Sequence, residues 1–179
     1  PESLLERRDL MRTLETCNAD PLCREDLGRD AVKAYDKLAK KLERRPLAFD
    51  FKRADGVVES RLFKLGDLET AASTYLYDPG DRMLLQRALA YAEAGELQPL
   101  ATLFYVSLGL DPQTLAAQPD PSYSDAAYYA INCNDYRYFD GAPDERARKY
   151  MQAGGKAVEN IPRMNSVFFG DLPCVFWNS

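Results

Sequence analysis

Four cysteines constrain the fold of this 179-residue chain more than any other feature. Cys17 and Cys23 lie close together in CNADPLC, whereas Cys133 and Cys174 lie far apart in the second half of the sequence. An even number of cysteines with one close pair predicts two disulfides, and three pairings are possible from the spacing alone. The alternative is a structural zinc site, but the usual ligand pairs, about two to four residues apart, are missing.

Histidine is absent from the chain, which limits the chemistry that it can perform. A serine-hydrolase triad uses histidine to carry the proton, so no complete triad of this kind is present. The nearest approach to a G-x-S-x-G nucleophile elbow, Tyr105 to Gly109, lacks the first glycine and falls at the end of a predicted helix. Phosphate loops and metal-ligand spacings are missing too. We therefore predict no catalytic residue, metal or cofactor here, and no enzyme activity of the chain by itself.

Composition is that of a folded globular protein, with 46% apolar and 28% charged residues. A net charge of -5 argues against a nucleic-acid partner, because phosphate binding needs a basic surface. Lys40, Lys41, Arg44 and Arg45 are interpreted as the solvated face and C-terminal end of a helix. Apolar runs fall short of the roughly 20 residues that span a membrane. Disulfides favour a secreted, periplasmic or cell-surface location.

Helical periodicity dominates the sequence and predicts a mainly α fold with one small β-hairpin at about 46–65. The hairpin is indicated by alternation around Leu47, Phe49 and Phe51 and by the turn pair Asp55-Gly56. The predicted helices cover about 3–17, a short turn from 21, a stretch ending before 46, 66–75, 84–95, 100–108, 125–135 and 143–159. Residues 109–122 are predicted to form an ordered loop, Gly154-Gly155 to break a helix, and the tail after Pro162 to be irregular.

One predicted helix, 125–135, carries the most informative polar residues. Tyr128, Ile131, Asn132 and Asp135 share a face at helical spacing, and Cys133 lies on the opposite side. One face could therefore be anchored by a disulfide while the other presents a carboxylate among aromatic side chains. Such a carboxylate could bind a substrate ammonium group through a charge-assisted hydrogen bond. The simpler interpretation is that Asp135 is a surface acid at a helix end.

The order of several segments resembles a known family. CNADPLC, a helix ending in RRPLAF, a hairpin, GDLETAASTYLYDP, LAYAEAGELQPLATLF, AINCNDY and PCVFW follow one another along nearly the whole chain. This succession is similar to the cap region of secreted α/β-hydrolase-fold serine peptidases, the tripeptidyl and prolyl aminopeptidase group. The resemblance implies disulfides Cys17–Cys23 and Cys133–Cys174.

The resemblance also implies a domain organisation and a partner. Residues 1–179 would form a single helical cap, or lid, excised from or inserted in a larger α/β-hydrolase. The nucleophilic serine would precede Pro1, and the catalytic aspartate and histidine would follow Ser179. The partner of the cap would then be the catalytic core of the same parent protein, and the cap would cover its active site.

In this family, acidic residues of the cap bind the free α-amino group of the peptide substrate. The counterpart by motif position is Asp135, beside Asn134 and Tyr136, with Tyr128 on the same helix, and family members often carry glutamate at this position. The expected function is that of the non-catalytic cap of an aminopeptidase that releases N-terminal residues or short peptides. Two alternatives remain: a free-standing helical protein-interaction domain, and the cap of an ester- or lipid-cleaving hydrolase.

Overall fold

The computed structural model describes residues 2–122, 124–136, 138–160 and 163–177, without the side chains of residues 2–4 and 158–160. Both chain ends, Pro1 and Ser179, lie outside the described residues. The elements are α1 (Glu2–Ala19), α2 (Pro21–Leu27), α3 (Ala31–Arg44), β1 (Leu47–Lys52), β2 (Val58–Phe63), α4 (Leu65–Thr74), α5 (Pro79–Glu93), α6 (Gln98–Ser107), α7 (Asp125–Asp135), α8 (Pro143–Asn160) and a 3₁₀ helix (Val167–Phe176). The predicted mainly α fold with one hairpin is confirmed.

Polar side chains set the starts of several helices. Asp20 accepts hydrogen bonds from the backbone of Leu22 and Cys23 before α2, and Pro21 occupies the first helical position. Asp30 accepts from Lys33 N–H at the start of α3 in the same way. The oxygens of Asp78 and Ser124 likewise cap α5 and α7. The predicted helices agree in position with most of those observed, but α5 begins at Pro79, before the predicted start at 84, because the Asp78 cap was not recognised.

The main hydrophobic core lies between α1, α3, α4, α5 and α6. Its largest fully buried side chains include Leu10, Leu14, Tyr35, Leu68, Leu89 and Leu100. The inner face of the hairpin adds Phe51 and Phe63 to this core. A two-stranded hairpin is marginal by itself in water, so packing against the helices supplies the stability that its ladder lacks.

Buried Arg61 joins the hairpin to the loop that follows α6. Its guanidinium lies 3.8 Å from the Phe51 ring centroid and pairs with Glu59. It also donates to the main-chain oxygen of Pro112 at 2.7 Å. The cation is therefore stacked, paired and hydrogen-bonded, which offsets the cost of its burial.

The hairpin turn is longer by one residue than the Asp55-Gly56 pair predicts. Arg53 N–H donates to Val57 O at 2.8 Å, so three residues form the loop. Gly56 lies at φ +86°, in the left-handed region that a three-residue loop requires at its last position.

The disulfides are Cys17–Cys23, which ties the end of α1 to α2, and Cys133–Cys174, which ties α7 to the 3₁₀ helix. Of the three possible pairings, this is the one that the resemblance implies. Each of the four cysteines is bonded to its disulfide partner, so no thiolate is left to bind zinc.

Two predictions about the last part of the chain are wrong. Helix α8 continues through Gly154 and Gly155 instead of breaking there. Gly154 is buried against the rings of Phe168 and Phe169, so its missing side chain makes room for tertiary packing. The tail after Pro162 is not irregular throughout, because residues 167–176 form the 3₁₀ helix.

None of the helices in the described ranges combines the length and the hydrophobicity that a membrane span requires.

Candidate functional site

Helix α7 presents one anchored face and one exposed face. Cys133 is buried and bonded to Cys174 of the 3₁₀ helix. Tyr129, also on this side, donates from its hydroxyl to the backbone oxygen of Gly170 at 3.4 Å. The anchored face therefore fixes how the other face is presented to solvent.

The exposed face carries Tyr128, Ile131 and Asp135, as the helical spacing predicts, whereas Asn132, which was predicted on the same face, is half-buried. Ile131 is 61% exposed, and the Tyr128 ring packs edge-on against Tyr129 with centroids 5.3 Å apart. Tyr128 and Asp135 are seven residues apart, which is about 10 Å along a helix axis. They share a face, but a single small group cannot touch both.

Asp135, the last residue of α7, is exposed. Next to it, Tyr136 ends the helix by donating its N–H to Asn132 O at 2.8 Å, while its ring is 61% exposed. Asn134 turns its amide back along the helix and donates to Ala130 O at 2.6 Å. Asp135 and Tyr136 therefore form an exposed pair, and one of the two Asn134 amide hydrogens is already bonded within the helix.

Over the residues that the structure describes, the charge at this helix end is negative. The last turn of α7 contains no basic residue, and the carbonyl end of a helix carries partial negative charge. Among the described residues, no hydrogen bond or ion pair involves the Asp135 carboxylate. An acid at a helix C-terminus is unfavourable for stability, and a bound cation would remove that cost.

Behind α7, an aromatic cluster packs the 3₁₀ helix onto α8. Tyr150 is its centre, with ring centroids 5.1 Å from Phe168 and 5.5 Å from Tyr138. Its hydroxyl donates to Phe168 O, and the Tyr138 hydroxyl donates to Asp171 at 2.7 Å. Burial raises the pKa of Tyr150 to about 12, with a further contribution from the Asp171 carboxylate.

A polar latch fixes the segment before the 3₁₀ helix. The buried Glu69 carboxylate accepts hydrogen bonds from the N–H and the hydroxyl of Ser166, both at 2.6 Å. Arg163 forms a bidentate pair with Asp36 at 2.8 and 2.9 Å. Sequence reasoning missed this latch. The sequence did contain a signal for it, because Glu69 lies four residues after Leu65, at the spacing of the apolar face of α4.

The structure does have a concave surface, but it lies away from α7. A groove of about 760 Å³ separates β1 from α5 and the start of α6, and none of Tyr128, Asn134, Asp135 and Tyr136 lines it. In the part of the chain that the structure describes, no three acidic, cysteine or histidine side chains come close enough together to hold a metal ion. Among the described residues, the end of α7 is therefore an exposed acidic surface that lies apart from this groove.

Comparison with known proteins gives no relative: no protein-family model, curated protein or solved structure matches this chain.

Proposed function

We propose that this chain is the helical cap of a secreted serine hydrolase, an aminopeptidase, and that Asp135 binds the free α-amino group of the peptide substrate. The observation that carries the proposal is the exposed carboxylate of Asp135 at the carbonyl end of a disulfide-anchored helix, with no cation paired to it among the described residues. The disulfide pairing, one of three possible, also agrees with the family that the sequence resembles.

An α-ammonium group suits this surface in charge. The carboxylate accepts a charge-assisted hydrogen bond, and the helix carbonyls add negative potential behind it. The exposed ring of Tyr136 offers a second favourable contact, since an ammonium group is attracted to an aromatic face. An N-acetylated peptide has no such charge and would lose all three interactions.

The rigid attachment of α7 to the rest of the fold supports the same role. The Cys133–Cys174 bridge joins residues 41 positions apart, and the Glu69–Ser166 latch holds the intervening segment to α4. A helix backbone that is held in place before the substrate arrives leaves only the Asp135 side chain to be ordered on binding, which lowers the cost in conformational entropy. The cap in this proposal would cover the active-site mouth and leave proton transfer to a core that carries the histidine.

The proposal predicts the kinetics of Asp135→Asn in the parent hydrolase. KM for a peptide with a free amine should rise about tenfold, with little change in kcat, because a charge-assisted contact made in the ground state is lost. Cleavage of an N-blocked ester should not change. Asp125→Asn, at the other end of the same helix, is the matched control and should leave both substrates unaffected.

Thermal unfolding of both variants checks that α7 stays folded. Asp135→Asn removes an acid from the carbonyl end and should stabilise by a few tenths of a kcal/mol, whereas Asp125→Asn should destabilise slightly. Equal loss of activity on free-amine and N-blocked substrates would count against amine recognition by Asp135.

A further inference from the structure

The outer edge of β1 carries unpaired main-chain groups. Arg53 and Val57 form a hydrogen-bonded rung, with Arg53 N–H donating to Val57 O. Hydrogen-bonded and non-hydrogen-bonded rungs alternate in an antiparallel ladder. The register therefore makes the rungs Lys52–Val58, Asp50–Ser60 and Ala48–Leu62 non-hydrogen-bonded, and the main-chain groups of these six residues point away from the partner strand.

Gln98 already occupies the first position along this edge. Lys52 N–H donates to Gln98 Oε1 at 2.8 Å, and Gln98 Nε2 donates to Lys52 O at 2.9 Å. A side-chain amide has the same donor and acceptor as a peptide group, so these are the two bonds that a third strand would form. Within the described part of the chain, the main-chain groups of Ala48 and Asp50 form no corresponding bond.

The edge opens into the groove of about 760 Å³ described above. Half-buried Phe49 and Leu103 contribute to an apolar lining, and α5 borders the other side with Leu84, 46% exposed, and Tyr91, 52% exposed. This size falls within the range of ligand-binding pockets. A strand edge facing a helix across an apolar groove is suited to an extended peptide.

Charge in the groove is balanced. Its charged lining residues are Asp50, Lys52, Arg87 and Glu96, two acids and two bases. A polyanion such as nucleic acid would need a basic surface, which this groove is not. The complementary occupant is an extended segment without net charge, held by main-chain hydrogen bonds and apolar contacts, and its binding should depend little on salt.

We propose that this groove binds an extended peptide segment that adds to β1 as a third strand. The segment pairs with the main chain of Ala48 and Asp50 and directs alternate apolar side chains toward Phe49 and Leu103. A second copy of the chain would have to approach edge to edge, and Leu84 and Tyr91 border the space that it would enter. This surface is separate from the α7 end, so the inference stands without the proposed function.

Hydrogen exchange measured by NMR on the ¹⁵N-labelled chain tests the inference. The probe is a capped octapeptide with alternating threonine and valine between a terminal lysine and a terminal glutamate. At saturating probe, exchange of the Ala48 and Asp50 amides should slow about tenfold. The amides of Ser60 and Leu62, on the outer edge of β2, are the internal control and should not change.

Three outcomes would overturn the inference. They are no slowing at Ala48 and Asp50 with millimolar probe, equal slowing on both strand edges, and slowing that depends on protein concentration without probe. The last outcome would identify a second copy as the occupant.

A pair of proline variants on one rung locates the contact. Ala48→Pro removes an edge N–H that the β1–β2 ladder does not use, and proline is tolerated on strand edges. It should weaken probe binding about fivefold, the effect of one hydrogen bond. Leu62→Pro makes the same change on the opposite edge and should leave binding intact. Equal effects of the two variants would contradict the inference.

Two N-methylated probes test it without changing the protein. One is methylated at all its threonines and the other at all its valines, so that each lacks the three interior N–H donors of one strand edge. Only one of the two should bind, because only one edge of the added strand faces β1. Equal binding of both would rule out strand addition.

Discussion

Gly154→Ala should destabilise the fold although it replaces glycine within a helix. A Cβ at Gly154 would lie 2.5 Å from Cε1 and 2.6 Å from Cζ of Phe169, and 3.0 Å from Cε1 of Phe168. Carbon atoms in contact are normally about 3.5–4.0 Å apart, so the Phe169 ring would have to move by about 1 Å. Tyr150 and Phe168 flank that ring and limit its movement.

The neighbouring Gly155 supplies the reference, because nothing lies within 4 Å of a Cβ placed there. Gly155→Ala should therefore stabilise α8 by about 1 kcal/mol, the difference in helix propensity. Gly154→Ala gains the same amount, but overpacking against two rings costs about 3 kcal/mol, the upper end of the usual range. The expected net loss is about 2 kcal/mol, so the two variants should differ by about 3 kcal/mol.

Urea unfolding followed by circular dichroism, with disulfides intact, measures this difference. The slope of the unfolding free energy against urea concentration should be the same in both variants, so that the difference between their midpoints reports the difference in stability. Phe169→Leu combined with Gly154→Ala should recover part of the loss, because the double variant relieves the contact. If Gly154→Ala proves as stable as Gly155→Ala, the packing explanation for Gly154 is refuted.

Two further predictions concern the same part of the fold. Burial raises the pKa of Tyr150 to about 12, so the folded chain keeps this proton between pH 10 and 12 while the unfolded chain releases it. The free energy of unfolding should therefore fall with rising pH in this window, by about 1.4 kcal/mol per unit from Tyr150, and the fall should be smaller in Tyr150→Phe; equal slopes would contradict the assignment. Replacing Cys133 and Cys174, which are 41 residues apart, by serine should lower the free energy of unfolding measured in urea by about 4 kcal/mol. The same replacement of Cys17 and Cys23, which are six residues apart, should lower it by about 2 kcal/mol. A larger cost for the short bridge would argue against the chain-entropy explanation.

Local signals account for most of the secondary structure that the sequence predicted. In α3, the apolar spacing identified the face on which Tyr35, Leu38 and Leu42 are buried. The hairpin followed from strand alternation and a glycine turn. Each of these signals operates within a few residues, so no knowledge of the remaining chain was needed.

Features that depend on distant contacts were not predictable in the same way. Gly154 resembles a helix breaker in sequence, and only the rings of Phe168 and Phe169 explain why the helix continues past it. The 3₁₀ helix contains Pro173 and is held in place by Cys174 and by the packing of Tyr150. Helix propensity carries no information about such contacts.

The candidate site also has some features that the sequence predicts and others that depend on side-chain rotamers or distant contacts. Helical spacing correctly placed Asp135 on the exposed face of α7 and Cys133 on the anchored face. The orientation of the Asn134 amide toward Ala130 O was not predictable, because it depends on a side-chain rotamer. The free edge of β1 was also hidden, since its groove is formed by α5 and α6, far along the chain.

The central claim is that this chain caps a serine hydrolase, and the coding sequence on either side of it is the most direct test. The claim predicts a G-x-S-x-G nucleophile elbow encoded upstream, and an aspartate followed by a histidine downstream, within one reading frame. Stop codons or unrelated domains on both sides would contradict it.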